Sequence, residues 1–239
     1  MDAVPSSERP IEAGARDQRR ARFVLVTGAL ALAFQYYVPR LTTAPAISGF
    51  HPELLRLAWW TTAVVLAYFM APLLLVRFGL GESPGDYGLS FGSGGLSPRR
   101  IAALVGAALA IVWLASWSTA FTSRYPLFRL GPGEVPWSAL LAWEAIYAFQ
   151  FVATEFFFRG YLIHGLHGAI GELAVFVAMV PYVMAHFGKP WPETVGAVVA
   201  GVVLGRLSLT TRTIGPGLAV HLTVALGMDA LALHRRGLL

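Results

Sequence analysis

Apolar residues occupy most of the chain in long runs, and short polar segments separate them. The runs cover residues 23–39, 54–78, 101–121, 138–158, 172–187, 192–210 and 214–233. A helix needs about 20 predominantly apolar residues to cross the hydrocarbon core of a bilayer. The pattern therefore predicts an all-α, polytopic transmembrane helical bundle with about seven to eight spans. The fourth run continues to Leu166. The sequence therefore allows either one long helix here or a separate eighth element.

The polar segments divide the chain into three parts. Residues 1–22 contain prolines, serines and several arginines but little that could form a core, which predicts a disordered tail. Residues 23–137 are predicted to form the N-terminal transmembrane helices and their loops. Residues 138–239 form a second group of spans, which carries the residues suited to chemistry.

The distribution of arginine predicts how the chain is oriented. Arg99 and Arg100 end the long polar connection 79–100, and arginines also precede the first apolar run. Positive charge beside membrane spans marks the cytoplasmic side, so we expect the N-terminus in the cytoplasm and the loop 122–137 outside. The predominance of Arg over Lys, with abundant Ala, Gly and Leu, indicates a bacterial protein of the cytoplasmic (inner) membrane.

The composition narrows the class of protein further. Apolar residues make up 56% of the chain and charged residues 13%, whereas a soluble domain has about a quarter of its residues charged. The net charge is +5, but the 17 Arg and one Lys lie mostly at the ends of apolar runs, which indicates contact with membrane lipid and not with nucleic acid. Because cysteine is absent, disulfides, thiolate zinc sites and a cysteine nucleophile are excluded.

Several ionisable residues interrupt the apolar runs. A charged side chain at the centre of a membrane helix costs about 2.5–3.5 kcal/mol, so such residues usually face the bundle interior and mark a functional path. Glu155 and Arg159 are four residues apart, the spacing of an ion pair on one helix face. The sequence allows two interpretations of this pair, a structural clamp and a reactive carboxylate. Glu144 lies about three turns earlier, so it is predicted to project toward nearly the same side as Glu155 and to be a packing or polar-network residue. The six residues are Glu144, Glu155, Arg159, His186, His221 and Asp229.

Two histidines on later spans could converge with Glu155. A carboxylate and two imidazoles can activate water or hold a metal ion. The HExxH pattern of helical zinc proteases is absent. A divalent metal bound by Glu155, His186 and His221 is therefore compatible with the sequence, but no cofactor is required by it.

Three short motifs in the second half resemble those of one family. The stretch ATEFFFRGYL, with Glu155 and Arg159, resembles the motif EExxxR. The stretch YVMAH, from Tyr182 to His186, resembles FxxxH, and His221 in PGLAVHLTVA resembles the histidine of HxxxN or HxxxD. This ordered set, over residues 138–233, resembles the CAAX protease and bacteriocin-processing family of intramembrane glutamate endopeptidases.

The resemblance implies an activity and roles for the matching residues. In the family, the first Glu and the second-motif His activate water, while the third-motif His and Asn stabilise the oxyanion. The implied protein is an intramembrane endopeptidase that hydrolyses peptide bonds of membrane-associated proteins or peptides. Glu155 would then be the catalytic carboxylate, His186 its partner, His221 an oxyanion donor and Arg159 the residue that orients the carboxylate, with Tyr182 in support.

The chain departs from the motifs at two positions. Thr154 stands at the first Glu of EExxxR, and Ala225 stands at the Asn or Asp of the third motif. Glu155 would then serve as the base itself, with lost polar function replaced by Asp229 or Glu193. The alternatives are a catalytically inactive family member that acts as a membrane interaction or immunity protein, and a membrane protein that binds a small ligand.

Overall fold

A computed structural model describes residues 8–131 and 135–239, which form eight helices and no strand. The all-α helical prediction is confirmed. The longest helix, α5, covers 137–170 and is α-helical over Trp137–Glu155, π-helical over Phe156–Leu162 and α-helical again over Ile163–Ile170. The others are α1 Glu8–Leu41, α2 Pro52–Leu80, α3 Pro98–Ala115, α4 Thr119–Arg124, α6 Leu173–Met184, α7 Trp191–Thr211 and α8 Gly215–Arg235.

Five helices of the described part are long and apolar enough to cross a membrane: α1 from Gly14 onward, α2, α3, α7 and α8. Large apolar side chains on them, such as Leu30, Leu114 and Val199, are exposed on the surface of the protein, as expected where lipid surrounds a bundle. The protein is thus an integral membrane helical bundle. Two other helices are less clear-cut spans: α6 has 12 residues and is about 18 Å long, and α5 carries buried charged residues. The predicted number of seven to eight spans therefore stays a prediction.

The N-terminal segment differs from its prediction. The prediction of a disordered tail over residues 1–22 is wrong from Glu8 onward, because α1 begins there. Residues 1–7 lie outside the described part. Arg20 holds this end of α1, because its Nη2 lies 2.8 Å from Glu82 Oε1 and its Nη1 lies 3.1 Å from Asp17 Oδ1. The charges of this segment thus pair with one another and with Glu82, which follows the end of α2.

Helix α5 lies at the centre of the bundle. Thr61 of α2 donates a hydrogen bond to Gln150 Oε1 at 3.2 Å, and Thr27 of α1 is 2.5 Å from the hydroxyl of Tyr161. Helices from both sides of the predicted division at residue 137/138 thus share buried clusters, and the division itself stays a prediction.

The π-helical segment explains the unusual length of the fourth apolar run. Every residue of Phe156–Leu162 is buried, and the helix passes through it without ending. The structure thus has one long helix here and not a separate eighth element. Helix α5 ends at Ile170, because Gly171 adopts a φ of +57°, which favours glycine, and the chain turns into α6.

The loop between α2 and α3 fixes the start of α8. Gly88 O accepts a hydrogen bond from Ile214 N at 3.0 Å, and Thr213 Oγ1 donates to Gly92 O at 3.3 Å. The ring of Tyr87 lies 6.1 Å from that of Tyr161 on α5. These contacts hold α8, which carries His221, against the central helix.

Candidate functional site

A buried carboxylate links α5 to α8. Glu155 is 0% exposed; its Oε1 lies 2.8 Å from His221 Nδ1 and 3.5 Å from Arg159 Nη1. The spacing of four residues on one helix brings Arg159 to the carboxylate, as the sequence predicts. A charge removed from water must be compensated, and here an imidazole from one helix and a guanidinium from another share that task.

A glycine allows α8 to approach this carboxylate. Gly217 lies one turn before His221, and a Cβ built on it would stand 2.7 Å from Glu155 Oε2. That distance is too short for a methyl group beside a carboxylate oxygen. The absence of a side chain at this position is therefore required for the contact between Glu155 and His221.

The ring of Tyr182 brings α6 into the same cluster. The guanidinium carbon of Arg159 lies 3.8 Å from the centre of this ring, in a cation–π arrangement. The ring centres of His186 and His221 are 4.7 and 6.1 Å from it. The structure therefore brings the four predicted catalytic residues together: Glu155 contacts Arg159 and His221 directly, and His186 joins them through the aromatic ring.

The hydrogen bonds determine which imidazole nitrogens are free. His186 Nδ1 lies 2.8 Å from the carbonyl oxygen of Tyr182, and a carbonyl can only accept, so Nδ1 carries the hydrogen. His221 Nδ1 in the same way donates to the Glu155 carboxylate. In the neutral state each ring therefore keeps a lone pair on Nε2, the atom that can accept a proton.

The two motif departures have a structural consequence. Thr154 Oγ1 donates to Gln150 O of its own helix at 3.2 Å. Ala225 is buried in an apolar cluster that contains Tyr147 and Phe151. Neither position supplies the carboxylate or amide that the family motif has there, so the ionisable groups of this cluster are those of Glu155, Arg159 and the imidazoles.

Glu144 and Asp229 lie elsewhere in the bundle. They adjoin each other across α5 and α8, and Asp229 Oδ1 accepts from Leu127 N at 3.0 Å. Glu144 therefore does not face the same cluster as Glu155, because the pairing of the two helices presents it to a later turn of α8. Their supporting roles in catalysis stay predictions.

Glu193 is likewise occupied by other partners. Its Oε1 lies 2.7 Å from Lys189 Nζ and its Oε2 accepts from the Tyr125 hydroxyl at 2.7 Å. Burial, with the nearby charge of Glu193, raises the pKa of Tyr125 above its ordinary value, so the phenol remains a donor. The contact holds the loop before α5 against the first turn of α7.

Two polar residues near the cluster were missed by the sequence analysis. His164 Nε2 lies 3.1 Å from Ser208 Oγ, which itself donates to the carbonyl of Arg159 at 3.0 Å. Since the serine proton is used there, the imidazole donates to Ser208 and does not activate it as a nucleophile. The pair ties α7 to the π-helical segment. His164 could have been noticed as an ionisable residue in an apolar run, whereas nothing in the sequence marks Ser208.

The metal set considered from the sequence is not assembled. Among the described residues, no group of three or more His, Cys, Asp or Glu side chains is arranged to hold a metal ion. His221 Nδ1 is bound to Glu155, and His186 Nδ1 faces a carbonyl of its own helix. These three side chains thus interact with each other and the backbone as hydrogen-bonding groups.

The fold and the site together define a polytopic helical membrane protein with a buried cluster of ionisable residues between its helices. The family model described as Rce1-like, type II CAAX prenyl endopeptidase Rce1-like, matches residues 136–227. This segment contains the three motifs, so the resemblance to CAAX-type intramembrane proteases is confirmed over it. Neither the curated proteins nor the solved structures gave a match to the chain.

Proposed function

We propose that this protein is an intramembrane endopeptidase that hydrolyses a peptide bond in a membrane-associated protein or peptide. The family match supports a CAAX-type intramembrane protease at the level of the family. The observation that carries the proposal is the Tyr182 ring, which contacts both imidazoles beside the Glu155–Arg159 pair.

The hydrogen bonds favour the imidazoles as the groups that move protons. A carboxylate that receives Nδ1–H orients the ring and stabilises its charged form, as in other hydrolytic sites. Glu155 has this relation to His221, and its full burial leaves it little room to hold a nucleophilic water. We therefore assign Glu155 as the residue that orients His221, and Arg159 as the group that compensates its charge.

The proposed reaction uses the free Nε2 atoms. His186 Nε2 takes a proton from water as the water oxygen bonds to the scissile carbonyl carbon. His221, protonated at both nitrogens, donates from Nε2 to the oxyanion that forms. When the C–N bond breaks, the proton on His186 passes to the leaving amine, and both imidazoles return to their starting states.

The proposal includes a location and a substrate class. The site would act on segments that lie in or at the bilayer, since its helices are surrounded by lipid-facing apolar surface. We propose the bacterial cytoplasmic membrane, with the N-terminus in the cytoplasm, from the arginine distribution of the sequence.

The test compares cleavage by matched histidine variants. The purified protein, in lipid nanodiscs, is mixed with solubilised membrane proteins, and new N-termini are identified by mass spectrometry. His186→Ala and His221→Ala should each reduce cleavage by about 100-fold or more, the usual contribution of an acid–base group. His167→Ala is the control, because His167 is an exposed residue of α5. Cleavage by folded His186→Ala and His221→Ala at the wild-type rate would refute the assignment.

A second function is favoured by the two motif departures. Because Thr154 and Ala225 replace polar groups of the family pattern, the chain would instead be an inactive member that binds a membrane partner. The variant carrying Thr154→Glu and Ala225→Asn distinguishes the two. If the wild type cleaves nothing and this variant cleaves, the inactive function is supported; if the wild type cleaves and loses activity with His186→Ala, it is excluded.

A further inference from the structure

A second buried polar cluster lies at the other end of the contact between α5 and α8. Glu144 precedes Glu155 by eleven residues and Asp229 follows His221 by eight. With a rise of 1.5 Å per residue, these separations are about 16 and 12 Å along the two helices. The cluster is thus distinct from the proposed catalytic site and does not depend on its function.

Three carboxylate oxygens in this cluster form no hydrogen bond of regular geometry in the described part of the chain, although the two carboxyl groups and the Trp143 indole lie within hydrogen-bonding reach of one another. They are Oε1 and Oε2 of Glu144 and Oδ2 of Asp229, and all three are buried. Only Asp229 Oδ1 is satisfied, by Leu127 N. Asp229 is 1% exposed, and buried carboxylate oxygens without donors are strongly unfavourable.

No basic side chain compensates these carboxyl groups. Among the described residues, neither Glu144 nor Asp229 forms an ion pair. Lys189, the nearby lysine, is 2.7 Å from Glu193 and is committed to it. Arg236 donates to the backbone carbonyls of Thr122, in α4, and of Tyr125. The charge required by the acid pair does not come from the residues around it.

Aromatic rings adjoin the acid pair and suit a cation. The indole nitrogen of Trp143 is buried beside Asp229 without a hydrogen-bond partner of good geometry, and Trp143 is 0% exposed. Its ring stacks on that of Tyr147 with centres 4.8 Å apart. Tryptophan and tyrosine faces attract cations, and most strongly where water is excluded. The rings thus form an apolar, electron-rich wall next to unsatisfied oxygens.

We infer that Glu144 and Asp229, with Trp143 and Tyr147, bind a primary ammonium group. An ammonium offers three N–H donors, enough to reach both carboxyl groups, whose oxygens receive no other hydrogen bond of regular geometry except at Asp229 Oδ1. Only two carboxylate residues are present, and in the described part of the chain no group of three or more His, Cys, Asp or Glu side chains is arranged to hold a metal ion. The ammonium is that of a lipid headgroup, because lipid-facing apolar surface surrounds the helices that carry the pair; an ammonium of a peptide is the other outcome that the test separates.

The test uses two cations with the same alkyl chain, one with three N–H groups and one with three N-methyl groups in their place. The full-length protein is placed in phosphatidylcholine nanodiscs at pH 7.5, and its unfolding temperature is measured with octylammonium or with octyltrimethylammonium. Octylammonium should raise the unfolding temperature by about 3 °C, the size expected for roughly 1 kcal/mol of ligand stabilisation in a chain of this length. The quaternary amine, which has no N–H, should leave it unchanged.

Variants locate the effect in the acid pair. Glu144→Gln and Asp229→Asn should each abolish the shift, whereas Glu172→Gln should keep it, because Glu172 is an exposed acid paired with Arg206. If either variant fails to fold, the comparison of the two amines on the wild type still decides. Equal shifts with both amines, or a shift that persists in folded Glu144→Gln, would overturn the inference.

Two further arms identify the source of the ammonium. Replacing part of the phosphatidylcholine by phosphatidylethanolamine tests the lipid headgroup. Adding a transmembrane peptide with a single lysine, against the same peptide with norleucine, tests the peptide. Stabilisation in either arm that is absent in Glu144→Gln supports the site and names its ligand; stabilisation in neither arm, together with no response to octylammonium, overturns it.

Discussion

Both ends of the α5–α8 contact contain a buried carboxylate, but the two carboxylates are in opposite electrostatic situations. At one end Glu155 lies between Arg159 and His221, at 3.5 and 2.8 Å. At the other end Glu144 and Asp229 adjoin each other, and no basic side chain among the described residues forms an ion pair with them. At both ends some carboxylate oxygens lack a hydrogen bond of regular geometry in the described structure, Glu155 Oε2 among them. Burial is severe at both ends, so the difference arises from the neighbours of each carboxylate.

The neighbours differ because of spacing along each helix. Arg159 is four residues after Glu155, so α5 itself supplies the compensating charge. The positions four residues before and after Glu144 are leucine and alanine, and those around Asp229 are alanine and leucine. A buried acid without a basic residue one turn away depends on another molecule or on a proton, which is why the second end is the better candidate for a ligand site.

The largest effect should follow from removing the guanidinium at the compensated end. Arg159→Leu leaves Glu155 buried with only His221, and breaking one partner of a buried pair costs about 3–5 kcal/mol. We expect a loss of that size in the free energy of unfolding, measured by denaturation in mixed micelles. The double variant Glu155→Leu, Arg159→Leu should lose less than Arg159→Leu alone. A double variant that is less stable than either single one would contradict the account.

A smaller loss should come from the glycine that admits the carboxylate. Gly217→Ala would place a methyl group 2.7 Å from Glu155 Oε2, and overpacking of this kind costs about 1–3 kcal/mol. The control is Gly196→Ala on α7, where a Cβ would meet nothing within 4 Å; it should gain about 0.5–1 kcal/mol. Equal unfolding temperatures for the two variants would show that the close approach is not required.

At the uncompensated end, a substitution of the carboxylate should raise the stability of the protein instead of lowering it. Glu144→Gln removes one of two adjacent acidic groups and keeps the shape of the side chain, so stability in phosphatidylcholine nanodiscs should rise by about 1 kcal/mol. Glu155→Gln, the matched change at the other end, should lower it. Thermal unfolding of the two variants side by side measures the contrast. A loss of stability in both would mean that the two ends do not differ as described.

The smallest effect concerns a carboxylate outside the membrane spans. Burial raises the pKa of Glu82, but hydrogen bonds from Tyr87 and Arg20 and the charges of Arg20 and Arg16 outweigh it, so the pKa lies below its usual value. A lowered pKa gives stability that is present above the ordinary pKa of Glu, about 4.3, and is lost as the pH falls through the lowered pKa.

Glu82→Gln should therefore flatten the dependence of unfolding temperature on pH between about 3 and 5, with a difference of about 0.5 kcal/mol, the size typical of ion pairs near the protein surface. Asp86→Asn, a change in the same loop, is the control, since no ion pair involves Asp86 in the described part of the chain. A pH profile of Glu82→Gln that matches the wild type would place this acid outside the N-terminal contact.

The sequence predicted what depends on local spacing and missed what depends on the register between helices. Apolar runs became helices, and the spacing of Glu155 and Arg159 gave their ion pair. The contact of Glu144 with Asp229 could not be foreseen, because it requires knowing which turn of α8 faces which turn of α5. The prediction of a tail over residues 1–22 failed for a related reason: the partner of Arg20 is Glu82, more than sixty residues away.

Tyr182 and Gly217 show a second limit. The motif YVMAH drew attention to Tyr182 as a supporting residue, but its position between both imidazoles and the guanidinium is a property of three helices. Gly217 is one of 25 glycines, and only the structure shows that a carboxylate lies against it. How the four motif residues act in catalysis stays a prediction until cleavage is measured.

The π-helical segment of α5 makes the length of the fourth run as important as its residue types. A π-helical turn adds one residue to a helix, and one residue of an α-helix corresponds to a rotation of about 100°. Shortening the three consecutive phenylalanines by one would thus change the angular phase between Glu155 and His164. The carboxylate would still face α8, but the imidazole would turn away from Ser208. Insertions and deletions here should therefore be tolerated far less than substitutions among apolar side chains.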